Sequence, residues 1–326
     1  TGAAPDTGVL TLDYGFIQFA GFTLGKALSV FQTPWGSGGG NGATSYFLGG
    51  YDNVNGITQI AYTWQFGNGV SAQLAVEDNR TINRSPILNA DLAFSGNTLG
   101  TGNTAAAAAI GTGVWASANS GNVIPDITGN IRIDQTAFTA QVSGAAHRLH
   151  ATYNGVSSTT LVETSGHPDD AWGFAALAGI QLKNLPTGPG DKLSLDATYV
   201  DGATKYLISG VTGNSFDVYS GGGGSGAYNT LAVLQMFEGI YSTTNGNKIE
   251  KTSGWGFRGA FVHNWSANWE TSIFGSYSRI NYNANATSAF CARWAQGVTK
   301  MGVASVAGGA NGGALFTGTC NPDFAI

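Results

Sequence analysis

Two of the four histidines lie close together, His147 and His150 in the run HRLH, and neighbouring imidazoles are the usual start of a metal site. On a strand an offset of three sends the two rings to opposite faces, so no metal centre is expected there. The run GGGGSG at 221–226 satisfies G-x-G-x-x-G formally. No strand precedes it and no helix follows, so it reads as a flexible glycine-rich loop rather than a phosphate cradle. Cys291 and Cys320, the only cysteines, are not spaced as a zinc site and share one polar, glycine-rich segment. No nucleophile, base and orienting group can be assembled, so neither an enzyme nor a cofactor is expected.

What remains is the chemistry of isolated charges. Lys and Arg number 14 against 19 Asp and Glu, a net −5 with no basic stripe, which excludes a nucleic-acid surface. Charged residues are 10% of the chain where an average soluble domain has about 25%, and glycine fills 50 of 326 positions, about twice its usual share. A soluble surface is hard to build from that composition. Mean hydropathy is +0.00, and no stretch approaches the ~20 consecutive apolar residues of a membrane-spanning helix.

The elements that must position those charges show period two. In ITQIAYTWQF (57–66) Ile60, Tyr62, Trp64 and Phe66 share one face, with Gln59, Thr63 and Gln65 on the other. After the turn GNG, VSAQLAVE (70–77) sets Val70, Ala72, Leu74 and Val76 against Ser71, Gln73 and Glu77. The same alternation returns in AWGFAALAGIQL (171–182) and KLSLDATYV (192–200). One face suits lipid and the other water, as in strands that cross a membrane. The predicted strands are 9–19, 22–30, 57–66, 70–77, 130–143, 146–154, 171–182, 192–201, 254–264 and 269–281, with another starting near Asp323. Short turns, including one at Gly144, alternate with long polar connections at 31–56, 78–129, 155–170, 202–253 and 282–322. Aromatic residues gather at strand ends, Tyr14 with Phe16, Trp64 with Phe66, Trp172, Trp255, and Trp265 with Trp269. The expected fold is all-β, an antiparallel transmembrane β-barrel with about 10 to 11 strands in this chain.

The runs YGFIQFAGFTLGKALSVF (14–31), YTWQFGNGVSAQLAVED (62–78), GNIRIDQTAF (129–138), SGHPDDAWGFAALAGIQLKNLPTGPGD (165–191), GWGFRGAFVHNW (254–265), TSIFGSYS (271–278) and CNPDFAI (320–326) resemble the trimeric general porins of alphaproteobacterial outer membranes. The resemblance covers essentially the whole chain. It implies a barrel of about 16 strands in the complete protein, and residues 1–326 as a single barrel domain incomplete at both ends. It implies a Gram-negative outer-membrane location, a homotrimer surrounded by lipid, and a water-filled channel for passive diffusion of small hydrophilic solutes and ions. A substrate-specific outer-membrane channel is the alternative. A secreted, soluble β-rich adhesin would show a repeat period, which is missing.

In that family the connection folded into the pore maps onto 31–56, where Asp52 is the only charge and Lys26 just precedes it. Asp52 is expected to make the constriction negative, in competition with a turn-capping role in YDNVNG. Lys26 is expected to add positive potential on or near the pore wall, although it shares parity with Phe22 and Leu24 unless the strand ends or bulges there. Alternation places Arg148 and Arg258 on the lumen, together with Glu77, Arg132, Asp134, Asp196 and Glu270. Strand 130–143 switches parity partway, as a bulge would cause. Assembly through an oxidising compartment predicts a disulfide between Cys291 and Cys320.

Overall fold

A chain whose apolar residues recur every second position can bury one strand face and leave the other in lipid. The computed structural model describes residues 12–35, 49–51, 56–78, 86–91, 118–121, 124–155, 162–208, 237–300 and 323–325, with backbone alone at 293–300 and 324–325. Eleven strands form one sheet in which every neighbour is antiparallel. They are β1 (Gly15–Phe19), β2 (Phe22–Ala27), β3 (Ile57–Gly67), β4 (Val70–Glu77), β6 (Asp126–Asp134), β7 (Phe138–Leu149), β8 (Ala171–Lys183), β9 (Lys192–Asp201), β12 (Ser253–Ser266), β13 (Trp269–Asn281) and β14 (Phe324–Ala325). Strands follow one another in chain order, and β1 and β14 are the edges of the open sheet.

Hairpin turns lie on one rim, and the long connections leave from the other. Those connections carry a small sheet of β5 (Ile87–Asn89), β10 (Gly239–Tyr241) and β11 (Glu250–Lys251), in which β5 runs parallel to β10. Among the described residues they also carry the helix α1 (Ala284–Lys300). Asn283 starts the helix by accepting a bond from the Ala286 amide at 2.8 Å, and Ala286, Ala289 and Phe290 bury one face by their spacing of three and four.

The outward face is apolar and exposed. Ile60 is 60% exposed, Ile131 60% and Val142 62%, values that only a hydrocarbon surround makes favourable for side chains of this kind. Aromatic rings bound this belt at both ends. Toward the hairpin rim Tyr62 stands edge-on to both Phe22 and Trp64, each at 4.7 Å between centroids. Toward the other rim Tyr277 packs on Trp255 at 5.3 Å and Phe257 at 5.8 Å. Rings with an apolar body and a polar edge belong at such depths. Phe16 departs from this, because it shares parity with Gln18 and turns to the inner face.

The structure corrects the third hairpin. Its turn is Gln135 to Ala137, and Gly144 lies mid-strand, opposite Gly129 on one side and Ala176 on the other. The parity switch in 130–143 is therefore the turn itself and not a bulge. It contains neither glycine nor proline, and it is held from outside: Gln135 Nε2 donates to Asn68 O at 2.6 Å, and Asp134 N to Gly69 O at 2.8 Å. Since a one-residue shift reverses every side chain, Arg148 moves to the outward face and His147 to the inner one. The helix α1 was also absent from the expected elements.

The turn between β8 and β9 is closed by a carboxylate. Asp191 accepts from Thr187 Oγ1 at 2.5 Å and from Asn264 N at 2.9 Å, and lies 2.7 Å from His263 Nδ1, tying the turn to β12. Burial opposes its ionisation, but the bonds from Thr187, Asn264 and His263 outweigh that and hold its pKa at about 2. A depressed carboxylate adds stability above its ordinary pKa of 3.8 and loses it as pH falls toward the folded value. Unfolding midpoints should therefore drop as pH falls from about 4 to about 2, and Asp191→Asn should flatten that part of the profile. At the apolar belt, Ile180 pairs directly with Leu195 on the outward face. Ile180→Arg is expected to cost roughly 2–4 kcal/mol in vesicle-based unfolding, whereas Glu270→Arg at the hairpin rim should cost far less.

Candidate functional site

The inner face is lined by polar side chains, and two connections are folded onto it. The β2–β3 connection leaves the wall at Ser29, whose hydroxyl donates to the Glu77 carboxylate at 2.9 Å while Val30 N donates to the same group at 2.8 Å. Thr128 Oγ1 adds a third bond at 2.8 Å. Farther along, Asn130 Nδ2 donates to Val30 O at 2.7 Å and Gln141 Nε2 to Gln32 O at 2.9 Å. Trp35 then lies on Gly179, where a Cβ would fall 2.7 Å from the indole. The connection thus crosses the inner face from β4 to β8.

It reappears on β12. Gly49 lies so close to Gly256 that a Cβ on the latter would stand 2.5 Å from the Gly49 Cα, and Gly50 sits against the Arg258 guanidinium. Strand β12 accepts the connection there because its inward positions, Gly254 and Gly256, carry no side chain.

The second inward segment belongs to the β9–β12 connection. A 3-10 turn, Thr204–Tyr206, is fully enclosed, and Leu207 O accepts from Gly49 N at 2.9 Å. Gly50 and Ile208 add a parallel bridge, so the two connections pair with each other as well as with the wall. Phe31, Tyr51 and Tyr206 pack together, with Tyr206 centroids 4.6 Å and 5.0 Å from the other two.

Buried charges fasten this assembly. Asp126 binds His147 Nδ1 at 2.6 Å and accepts from Tyr206 Oη at 2.6 Å, and it forms an ion pair with Lys205. His147 Nε2 lies 3.1 Å from Glu238 Oε2. Burial and the adjacent Asp126 carboxylate raise the Tyr206 pKa well above its ordinary value, which keeps the phenol a donor. The group therefore joins β6 and β7 to both ends of the β9–β12 connection.

Of the residues predicted to face the lumen, Asp196 and Arg258 meet in a two-pronged pair at 2.9 and 3.0 Å, both almost fully buried. Glu77 faces inward but is spent on the connection's backbone and hydroxyls. Arg132 faces inward with Nε donating to Gln141 at 2.9 Å. Asp134 has the same parity and accepts from Thr139 at 2.7 Å and Lys183 at 2.6 Å. Glu270 has inward parity and stands exposed at the hairpin rim.

Two expectations are overturned. Lys26 stays on the face of Phe22 and Leu24, because β2 keeps its pairing with β1 and β3 to its end, and its ammonium donates to Leu12 O at 2.6 Å. Arg148 is outward, in an ion pair with Asp170, which also binds His150 at 2.6 Å. Asp52 lies outside the described residues. So does Cys320; Cys291 on α1 is not a free thiol. Sequence reading missed Asp126, His147, Lys205 and Glu238. A correctly placed turn would have put His147 on the inner face, but the other three gain their meaning only from the folded connection.

Removing one member of a buried ion pair leaves the other charge uncompensated. Arg258→Met is expected to destabilise the protein by about 3 kcal/mol, and the double change with Asp196→Leu to recover most of that loss. Urea unfolding read by tryptophan fluorescence measures both, and a double variant no more stable than the single one would contradict the pairing.

A strand wall apolar outside and polar inside, crossed within by its own connections, suits a pore. A protein-family model described as the porin subfamily matches residues 1–324. No curated protein and no solved structure matches the chain. With nearly its whole length matched and this architecture in place, the chain belongs to the porin family and is an outer-membrane porin.

Proposed function

We propose that the protein forms a water-filled channel, in a Gram-negative outer membrane, through which small hydrophilic solutes and ions diffuse passively. Residues 1–326 act as one barrel domain within a homotrimer, and Cys291 and Cys320 join to close the β13–β14 connection. The observation that supports this reading is that the β2–β3 connection is held on the inner wall, by Glu77 near its start and against Gly256 at Gly49; we propose that it narrows the bore there instead of covering the rim. Pore width and the sign of the charges around it then set what passes. Asp196 and Arg258 cancel each other, and Glu77 is enclosed. Asp52, next to the anchored Tyr51, is proposed to supply the negative field at the constriction.

Single-channel recordings test the arrangement. Gly256→Ala is expected to push the Gly49 segment off β12 and raise the conductance by a factor of about two, since conductance follows the open cross-section. Asp52→Asn should move the reversal potential in a salt gradient toward anion preference without changing trimer stability on gels. Unchanged conductance in the first variant and unchanged selectivity in the second would together show that this connection does not form the constriction.

A further inference from the structure

A cavity of about 580 Å³ opens between the first turn of the β2–β3 connection and the inner face of β1 to β4. Its size is that of a site for a small molecule. Four primary amides border it, Gln18, Gln32, Gln59 and Gln73, and Arg132 is the only charged residue among the lining side chains. Phe16 and Tyr14 supply aromatic surface at the same place, both substantially exposed.

The amides are fixed by the wall. Gln18 Nε2 donates to Thr23 at 3.1 Å, Gln73 Nε2 to Thr63 at 3.0 Å, and Gln73 Oε1 accepts from Asn130 at 3.0 Å. Gln59 Nε2 donates to Leu28 O at 2.5 Å, which leaves its own oxygen without a partner among the described residues although Gln59 is only 4% exposed. Thr33, a lining residue only 1% exposed, likewise has a hydroxyl oxygen without a partner among the described residues. Buried acceptors in that state are costly, and these two lie just beneath the cavity's surface, while the accessible amides of its lining are what a solute meets. Amides offer both donors and acceptors, as hydroxyl groups do, so the two are matched whichever way each is turned. A carboxylate or phosphate would instead meet amide and hydroxyl oxygens with one guanidinium to offset them, and that guanidinium already directs Nε at Gln141.

We propose that this cavity is a solute subsite for a neutral polyhydroxylated molecule of monosaccharide size. Its hydroxyls bond the amides, and its C–H face stacks on Phe16. The subsite deepens the channel reading and rests on it, because it presumes that solute reaches the inner wall. It makes passage of such solutes saturable, where free diffusion through water would be linear in concentration.

The test uses the protein in planar bilayers with glucose, gluconate and glucosamine as neutral, anionic and cationic probes of one size. Glucose is expected to interrupt the open-channel current at a frequency that saturates with concentration, more strongly than either charged probe. Phe16→Ala and Gln59→Leu should each weaken that response about tenfold. Both should keep the sugar-free conductance, which shows that the variants are folded. Unaltered current at all glucose concentrations in an otherwise normal channel overturns the subsite and leaves the channel standing. A response to gluconate stronger than to glucose also overturns it, by assigning the cavity to anions through Arg132. Absence of any conductance overturns the channel reading itself.

Discussion

Hydrocarbon offers a peptide group nothing to bond with, and every feature of this protein follows from that constraint. Each backbone donor and acceptor in the membrane must be met by a neighbouring strand, which forces an antiparallel ladder and with it a period of two. The ladder sorts the sequence without further instruction. Ile131, Val142, Ile180 and Leu195 go to lipid, and Asn130, Gln141, Ser143 and Asp196 go inside. Register then becomes the most protected property of the fold, because a slip by one residue exchanges the two sets.

A polar inner face creates its own problem, since a wide wall of amides and hydroxyls would simply hold water. Two connections occupy that space, and they are retained by directional bonds instead of apolar burial alone. The Glu77 carboxylate collects three donors from the connection and from β6. The group of Asp126, His147, Lys205 and Glu238 does the same for the β9–β12 connection. Buried charges are poor sources of stability, because desolvation consumes much of their attraction, but an incorrectly seated connection would leave them unpaired. Their value here is that they admit one position of each segment.

The sequence spoke clearly where alternation was unbroken and the turn was rich in glycine or asparagine. Strands β3, β4, β8 and β9 were legible almost to the residue, and parity alone put Glu77, Asp196 and Arg258 on the inner wall. Reading failed at Gln135 to Ala137, where the turn is stabilised by Asn68 and Gly69 on a neighbouring hairpin, a contact 67 residues away that no local window contains. That single error carried Arg148 to the wrong face. Helix α1 was hidden for a different reason: most of its apolar residues are alanines, which mark a buried face weakly, and its Asn283 cap lies inside a segment that reads as glycine-rich loop. The paired connections were legible only in part. The inward course of the β2–β3 connection came from family resemblance, that of the β9–β12 connection was not anticipated, and the pairing of Gly49 with Leu207 depends on the wall that brings them together.

That dependence orders events in time. Asn130 grips Val30 across 100 residues of chain and Gln141 grips Gln32 across 109, separations at which the entropy of closing a loop is large and is recovered only when the final bond forms. Neither bond has a geometry until β6 and β7 have zipped onto β4. Contacts between residues so distant in sequence are the slow ones in folding. The part of the wall formed by β4, β6 and β7 therefore has to be in place before the β2–β3 connection can be seated on it. The interior is thus the last part of the fold to take its shape, and its precision is inherited from the strands that receive it.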